Sequence, residues 1–398
     1  MTRTSAPPNA PAVAPRAPRA ALPVMTLAAG LSVAGNYFAQ PLLGVLRAEL
    51  HMSATVAGLV VAVFQIGYAL GLALLVPLGD RYPRRDLAAA LLAATGVLLA
   101  LAGLAPNGPL LLAATGLVAV TSVGAQVLVP FAAEIGPPER RARDVGVVMA
   151  GVLGGGLAGR AFSGAVADVA GWRSVYWITA ALLLAVAVAV LRTLPATAAA
   201  GTRPGALLRS TAALLVELPA LRRPVAVAAL GMAGYSAHLA TLTFLLDGPP
   251  YRWSASTIGL AGLIGAVGPL CMPLAGRFVD GGHPRAVLLT GLALATASWA
   301  VLLPARDGGA GWLAAGIVLL NIGQTAMLNA SQNISYELRP EARGRINAVF
   351  MTLFFAGGAA GGVLAPLAWS AGGWGGVCGL AAALTGLALL AALRPYRA

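Results

Sequence analysis

The chain is 398 residues long; 59% of them are apolar, 10% are charged and 50 are glycine, against roughly 25% charged residues in a typical soluble domain. That composition excludes a soluble fold of this length. All 26 basic residues are arginine and, with 13 acids, set a net charge of +13; they fall in small groups between apolar runs rather than on one patch interleaved with aromatics, which excludes a nucleic-acid partner.

Residues 1–20 are rich in proline, alanine and arginine and read as a disordered cytoplasmic tail. A spanning helix needs about 20 mostly apolar residues. The apolar runs place spans near 22–46, 54–78, 87–105, 109–135, 145–168, 174–194, 224–246, 256–276, 286–304, 312–336, 346–369 and 375–393. The expectation is therefore an all-α membrane protein of twelve spans. The first run is longer than the 7 to 15 residues of a signal-peptide core, so it reads as a span. The polar-leaning stretch 195–223 contains GTRPG and is the expected cytoplasmic linker between 21–194 and 224–394, and 395–398 form a short tail.

An even number of spans puts both ends on one side. With the N-terminus in the cytoplasm, 21 arginines lie on that side; Arg47, Arg173, Arg252 and Arg306 lie opposite, and Arg160 lies within a span. The positive-inside rule then predicts cytoplasmic termini in a plasma (inner) membrane. Cys271 and Cys378 sit inside apolar runs and offer no disulfide framework.

The two parts of the chain repeat each other at a nearly constant offset. Ser53-Ala54-Thr55-Val56-Ala57-Gly58-Leu59 matches Ser254-Ala255-Ser256-Thr257-Ile258-Gly259-Leu260 at offset 201, and PERRARDVGVVM (138–149) matches PEARGRINAVFM (340–351) at offset 202. Charged loop residues align as well as apolar ones. Two six-helix units repeated in parallel, related by an axis along the membrane normal, follow from this pattern.

The loop after the second span reads Pro77-Leu78-Gly79-Asp80-Arg81-Tyr82-Pro83-Arg84-Arg85. It resembles the signature G-x-x-x-D-R-x-G-R-R of the major facilitator superfamily, with Val76 and Pro83 in place of the two glycines. The later copy keeps Gly276, Asp280 and Arg285. In the fifth span, Gly146, Gly155, Gly159, Arg160, Ser163 and Gly164 are similar to the antiporter motif G-x8-G-x3-G-P-x2-G-G, with Arg160 replacing proline and Ser163 one glycine. AGNYFAQPLL, VPFAAEIGPPERR and GWRSVYW resemble the drug and metabolite exporters of that superfamily.

The resemblance implies alternating access to a midplane site between the two units, export of a small organic molecule by proton antiport, and a monomer in the bilayer. Import or facilitated passage on the same fold is the alternative. It also implies gating by Asp80, Arg81, Arg84, Arg85, Asp280, Gly155, Gly159 and Gly164. Asp80 would sit near the start of span eleven and Asp280 near that of span five, where exposed N–H groups favour a carboxylate and hold the cytoplasmic side shut.

Polar residues at mid-depth are the candidate substrate site: Asn36, Tyr37, Gln40, Gln65, Tyr68, Thr121, Ser122, Gln126, Arg160, Tyr235, Ser236, His238, Asn321, Gln324 and Thr325. Arg160 is the sharpest of them, since a charge at this depth costs several kcal/mol unless it meets a wet cavity or a partner. It either binds an anionic group, tunes the protonation of a nearby acid, or bonds to amides such as Asn36 and Gln40. Gly362 stands at the equivalent place, so any charged site is asymmetric. Proton coupling needs a titrating group, and the candidates are Glu134, Asp168 and His238. A Walker loop needs a lysine, which the chain lacks, so ATP hydrolysis is not the energy source. Neither a metal cluster nor a catalytic constellation is expected, nor a cofactor, and the chain does not read as an enzyme.

Overall fold

Where the apolar runs begin, the chain supplies caps. Ser53 accepts a hydrogen bond from Val56 N–H (3.2 Å), Asn107 from Leu110 N–H (3.1 Å) and Ser254 from Thr257 N–H (3.4 Å), each satisfying a donor left open at a helix start. The computed structural model describes residues 20–137, 140–196 and 213–394, and every regular element among them is helical. In chain order these are α1 (Ala21–Tyr37), α2 (Leu43–Glu49), α3 (Ala54–Leu74), α4 (Arg84–Ala102), α5 (Gly108–Thr121), α6 (Gly124–Ile135), α7 (Arg141–Ala170) and α8 (Trp172–Thr193). The later ones are α9 (Pro219–Asp247), α10 (Ala255–Ala261), α11 (Val267–Asp280), α12 (Pro284–Leu302), α13 (Ala310–Glu337) and α14 (Arg343–Leu393). Ten helical stretches among the described residues are long and apolar enough to cross a membrane. The tails and most of the expected linker lie outside the described residues, and α9 starts at Pro219, inside the stretch expected as linker.

Several expected runs are broken helices, for local reasons. α1 stops at Tyr37 because Pro41 has no N–H and its ring crowds the carbonyl four residues back. The 109–135 run divides at Ser122, where the Thr121 and Ser122 hydroxyls both donate to the Val118 carbonyl (3.0 and 2.7 Å) and compete with the helix ladder. Between α10 and α11 the chain tightens into a 3-10 turn over Gly262–Ala266. A straight 51-residue α14 would measure about 76 Å, more than twice the hydrocarbon core. It instead folds back at Gly372 and Gly373, the latter at φ 55°, and its two arms correspond to the expected runs 346–369 and 375–393.

The sequence repeat reappears as repeated geometry. His51 and Arg252, 201 residues apart, both take φ 50° just before a serine cap. Gly171 and Gly373 both take positive φ before a tryptophan, and the indole N–H groups donate to Glu49 and to the Leu302 carbonyl, each at 2.8 Å.

We call the face where α1 begins and α14 ends the terminal face, and the opposite one the far face. α1 packs on α7, α8 and α6, α4 on α8, α9 on α14 and α12 on α13; the two groups meet mainly where α3 crosses α14 and where α7 crosses α10. One apolar core runs through α1–α8 and on into the far-face parts of α9, α12, α13 and α14. A second core, with Val227, Met232, Leu288, Met327, Phe350 and Ala388, contains only residues after 213. Continuous apolar packing therefore joins the early and late helices at the far face, while towards the terminal face they carry separate cores.

Candidate functional site

The far face is closed by two crossings that use small residues to bring backbones together. In the first, Gly164 of α7 packs against the Ala255–Ser256 backbone, Gly259 of α10 lies against the Arg160 carbonyl, and the Asp168 carboxylate accepts a hydrogen bond from Ser256 N–H at 3.0 Å. In the second, Gly58 of α3 faces Pro366 of α14, Gly362 faces Ala62, and the Thr55 and Ser370 hydroxyls are 3.2 Å apart. Thr243 donates to the Gln40 carbonyl at 2.7 Å, tying α9 to the turn after α1.

Beneath this seal lies a cleft between the early and late helices. Its polar end holds Arg160, whose Nε donates to Gln40 Oε1 (3.2 Å) and whose guanidinium lies 4.6 Å from the centre of the Tyr37 ring. Across the cleft Tyr235 donates to Asn321 Oδ1 (3.0 Å), and the buried His238 ring keeps an Nδ1 with no partner among the described residues.

The other end is apolar and aromatic. It encloses a cavity of about 170 Å³ that opens at its mouth. Gln65 bridges from α3 to Ser236 of α9 (3.1 Å), Gln126 donates to the Tyr68 hydroxyl (3.3 Å), and the Tyr68 ring meets Phe355 edge-on at 4.8 Å. Asn36 lines this end with a buried Oδ1 that has no partner among the described residues. Gln40 and Leu239 belong to both ends and make the cleft continuous.

Of the mid-depth residues, Asn36, Tyr37, Gln40, Gln65, Tyr68, Gln126, Arg160, Tyr235, His238 and Asn321 thus converge on one cleft. Others do not line it. Thr121 receives a hydrogen bond from Thr95 of α4 (2.9 Å), Ser122 is reached by Ser32 of α1, and Thr325 lies against Gly268 of α11; these join neighbouring helices. Gln324 is buried with its amide 3.6 Å from the Met232 sulfur. Phe64, Phe355, Met232 and Leu239 form much of the wall and were not anticipated. Phe64 could have been found from its place one helical turn before Tyr68; Phe355 carries no such signal, being one apolar residue in an apolar run.

The expected gate is placed differently. Gly155 and Gly159 pack against Gly30 and Ala34 of α1 inside the early group, so of the three gating glycines Gly164 alone touches a late helix. Arg81 lies over Tyr82, Arg84 pairs with Glu134 at 3.4 Å and Arg85 with Asp86 at 2.8 Å, all within the early helices. The Asp80 side chain lies outside the described residues. Asp280 ends α11 exposed, and in this structure it does not cap the start of α7: α7 meets the late helices at its opposite, far-face end. Glu134 sits at the terminal face with Arg84 and Asp168 at the far face, leaving His238 as the candidate proton carrier within the cleft.

A cleft walled by helices from both groups and shut at one face has the form of a cargo site, and the family and relatives of the chain make the molecule a multi-pass membrane transporter and not an enzyme. Residues 25–324 match the model of the Major Facilitator Superfamily, and the chain belongs to that family. It is 36% identical over 358 residues to the uncharacterized transporter YgaY of Escherichia coli O157:H7, covering 89% of this chain and 90% of that protein. It is 34% identical over 390 residues to the probable transporter SCO4007 of Streptomyces coelicolor, covering 96% and 89%. The fold also matches that of a bacterial homologue of the human lysosomal transporter Spinster in its inward-facing, unoccupied conformation, with a TM-score of 0.73, 17% identity, and 94% and 95% of the two chains covered.

Proposed function

We propose that the chain is a secondary active exporter of small organic molecules, working by alternating access and proton antiport in the inner membrane. In this reading twelve spans form two six-helix halves, 21–194 and 224–394, joined by the linker 195–223, with both termini cytoplasmic and the monomer as the working unit. The terminal face is then the cytoplasmic face. The observation that carries the reading is the cleft around Arg160, shut at the far face by the α7–α10 and α3–α14 crossings while the two groups keep separate cores towards the terminal face. Cargo enters from the cytoplasm, the halves rock, and the far-face crossings part.

Asn36, Tyr37, Gln40, Gln65, Gln126, Arg160, Tyr235, His238 and Asn321 form the substrate site in this reading, and Gln324 backs it from behind Met232. His238 is the coupling group, since it faces the cleft and has an unpartnered ring nitrogen. Asp80 and Asp280 latch the cytoplasmic side in the opposite state, in which α7 and the second arm-bearing helix α14 would swing their starts towards them.

The test is uptake into inverted membrane vesicles under an imposed proton gradient, with a panel of labelled drugs and metabolites. Gradient-driven uptake that is abolished by a protonophore and lost in Arg160→Ala supports the reading. Equilibration that ignores the protonophore makes the protein a facilitator, and uptake only into right-side-out vesicles makes it an importer.

A further inference from the structure

An arginine whose donors face a cavity inside a membrane protein offers them to water or to a ligand. Arg160 is held by three features that leave most of its donors free. Its stem passes over Gly262, where a Cβ would lie 2.9 Å from Arg160 Cδ; its flat face rests on Tyr37; and Nε is fixed by Gln40. Gly265 keeps the next turn clear, so that a Cβ there would stand 3.6 Å from Nη1. Nε is the one guanidinium nitrogen with a hydrogen-bond acceptor among the described residues, and no carboxylate pairs with this arginine or lines either end of the cleft.

A guanidinium presents a planar fork that matches the two oxygens of a carboxylate. Here the Nη pair is the unused part of that fork. The second unpaired group at this polar end, across the cleft, is His238, 5% exposed, whose Nδ1 has no partner among the described residues. Two unsatisfied nitrogen-bearing groups, one permanently cationic, thus meet at the polar end. The far end of the same cleft offers Phe64, Tyr68, Phe355 and Met232 as an apolar bed.

From this arrangement we infer that the cargo is a small organic acid, its carboxylate on the Arg160 fork beside His238 and its apolar body over Phe64, Tyr68 and Phe355. A cationic drug would bring its charge against Arg160 with no acid to receive it. The inference rests on the transport reading for its location but not for its chemistry. It also gives Gly262 a role: it is the gap through which the arginine stem reaches the cleft while α10 and its following turn stay closed over α7.

The test is equilibrium binding of labelled probes to the full-length protein in lipid nanodiscs, with two matched series: phenylacetate, phenylacetamide and phenethylamine, and octanoate, octanamide and octylamine. In at least one series the acid should bind about tenfold or more tighter than its amide and its amine, the usual margin for a site built around a polar group. Arg160→Gln should bring the acid down to the level of the amide, with folding of the variant checked by its thermal unfolding and elution profile in nanodiscs. Arg160→Lys should fall between, keeping the charge without the fork.

The inference is overturned if acid and amide bind equally, if the amine binds best, if Arg160→Gln holds the acid undiminished, or if no acid of either series is bound. Flux in proteoliposomes separates the two readings. Acids that bind but never cross, with a pH gradient of either sign, sink the transport reading and leave the acid site; amides or amines that cross while acids are ignored do the reverse.

Discussion

Asp168 and Ser370 stand 202 residues apart at equivalent places in the repeat, and each closes the far face against the start of a serine-capped helix in the other group. The device is built twice, with glycine at the contact on both crossings. Its chemistry differs. The α7–α10 crossing carries a carboxylate on a backbone N–H and, two turns deeper, Arg160; the α3–α14 crossing has a neutral hydroxyl pair and, at the place equivalent to Arg160, Gly362. A Cβ at Gly362 would already be 3.0 Å from the Ala62 backbone, so a long side chain there would press on α3, whereas Gly262 opens a path for Arg160. The two crossings thus share a shape, while the room beside the helix differs, and only the α7–α10 crossing holds a charge.

The largest effect is expected at Gly164. A valine there would press its side chain into the Ala255 carbonyl, a backbone atom that cannot turn aside. Gly164→Val should keep the far-face crossing from closing and lower flux by on the order of a hundredfold, because alternating access needs both closed states. Distances between spin labels at Val169 and Arg252, both exposed at the far face, should lengthen in the variant. Unchanged distances together with normal flux would show that this crossing is not a gate.

Gly262→Val strikes the same crossing at the arginine rather than at the seal. Its Cβ would meet Arg160 Cδ, the far part of a flexible side chain, so the helices can remain closed while the fork is displaced. Binding of the acid probe should weaken by about tenfold, as expected for misplaced polar contacts, with the Val169–Arg252 distance unchanged. A change in distance without a change in binding would put the role of Gly262 in packing alone.

Spans were legible in the sequence because each must present about 20 apolar residues to lipid, and the repeat survived as matched caps and matched positive-φ turns. Arg160 and Gln40 were legible together because a charge at that depth has to find polar company. The facing of the glycines was not: a spacing of four says that some helix comes close, without saying whether it is α1, as for Gly155 and Gly159, or α10, as for Gly164. Asp168 was equally opaque, since its partner Ser256 lies 88 residues away and no local pattern links them. The aromatic wall was hidden by composition, one phenylalanine among many apolar neighbours. The Asp280 contact expected from the loop motif is not made in this structure, where α7 meets the late helices at its opposite end, and a sequence does not say in which arrangement a molecule will be seen.

Asp168→Ala should have a smaller effect than either glycine change. It removes the carboxylate that accepts from Ser256 N–H and is steadied by the Ser254 and Ser256 hydroxyls and the Ala255 N–H, at an exposed position where water competes, a contribution of about 1 kcal/mol. The population with the far face open should rise by about fivefold, read as a long-distance component between the labels at Val169 and Arg252. Asp168→Asn keeps an acceptor for Ser256 N–H and should recover most of the loss. Equal behaviour of the two variants would mean that the charge, rather than the hydrogen bond, holds this corner.

The weakest contact is the neutral counterpart. Thr55 and Ser370 share one hydroxyl–hydroxyl bond at the exposed rim, and Ser370 also donates back to the Pro366 carbonyl at 3.0 Å, so it keeps a partner when Thr55 is lost. Thr55→Val preserves the β-branched shape and should shift the far-face equilibrium by no more than about twofold, in keeping with a net contribution of about 0.5 kcal/mol for a solvent-exposed neutral pair. Placing a carboxylate there tests whether the charged corner can be transplanted. Ser370→Asp would face Ala54 and Thr55 at the start of α3 as Asp168 faces Ala255 and Ser256 at the start of α10, and should stabilise the closed far face by an amount similar to that lost in Asp168→Ala. If Ser370→Asp instead loosens the far face, the two crossings share a shape but not a helix-start geometry, and the repeat equivalence ends at the backbone.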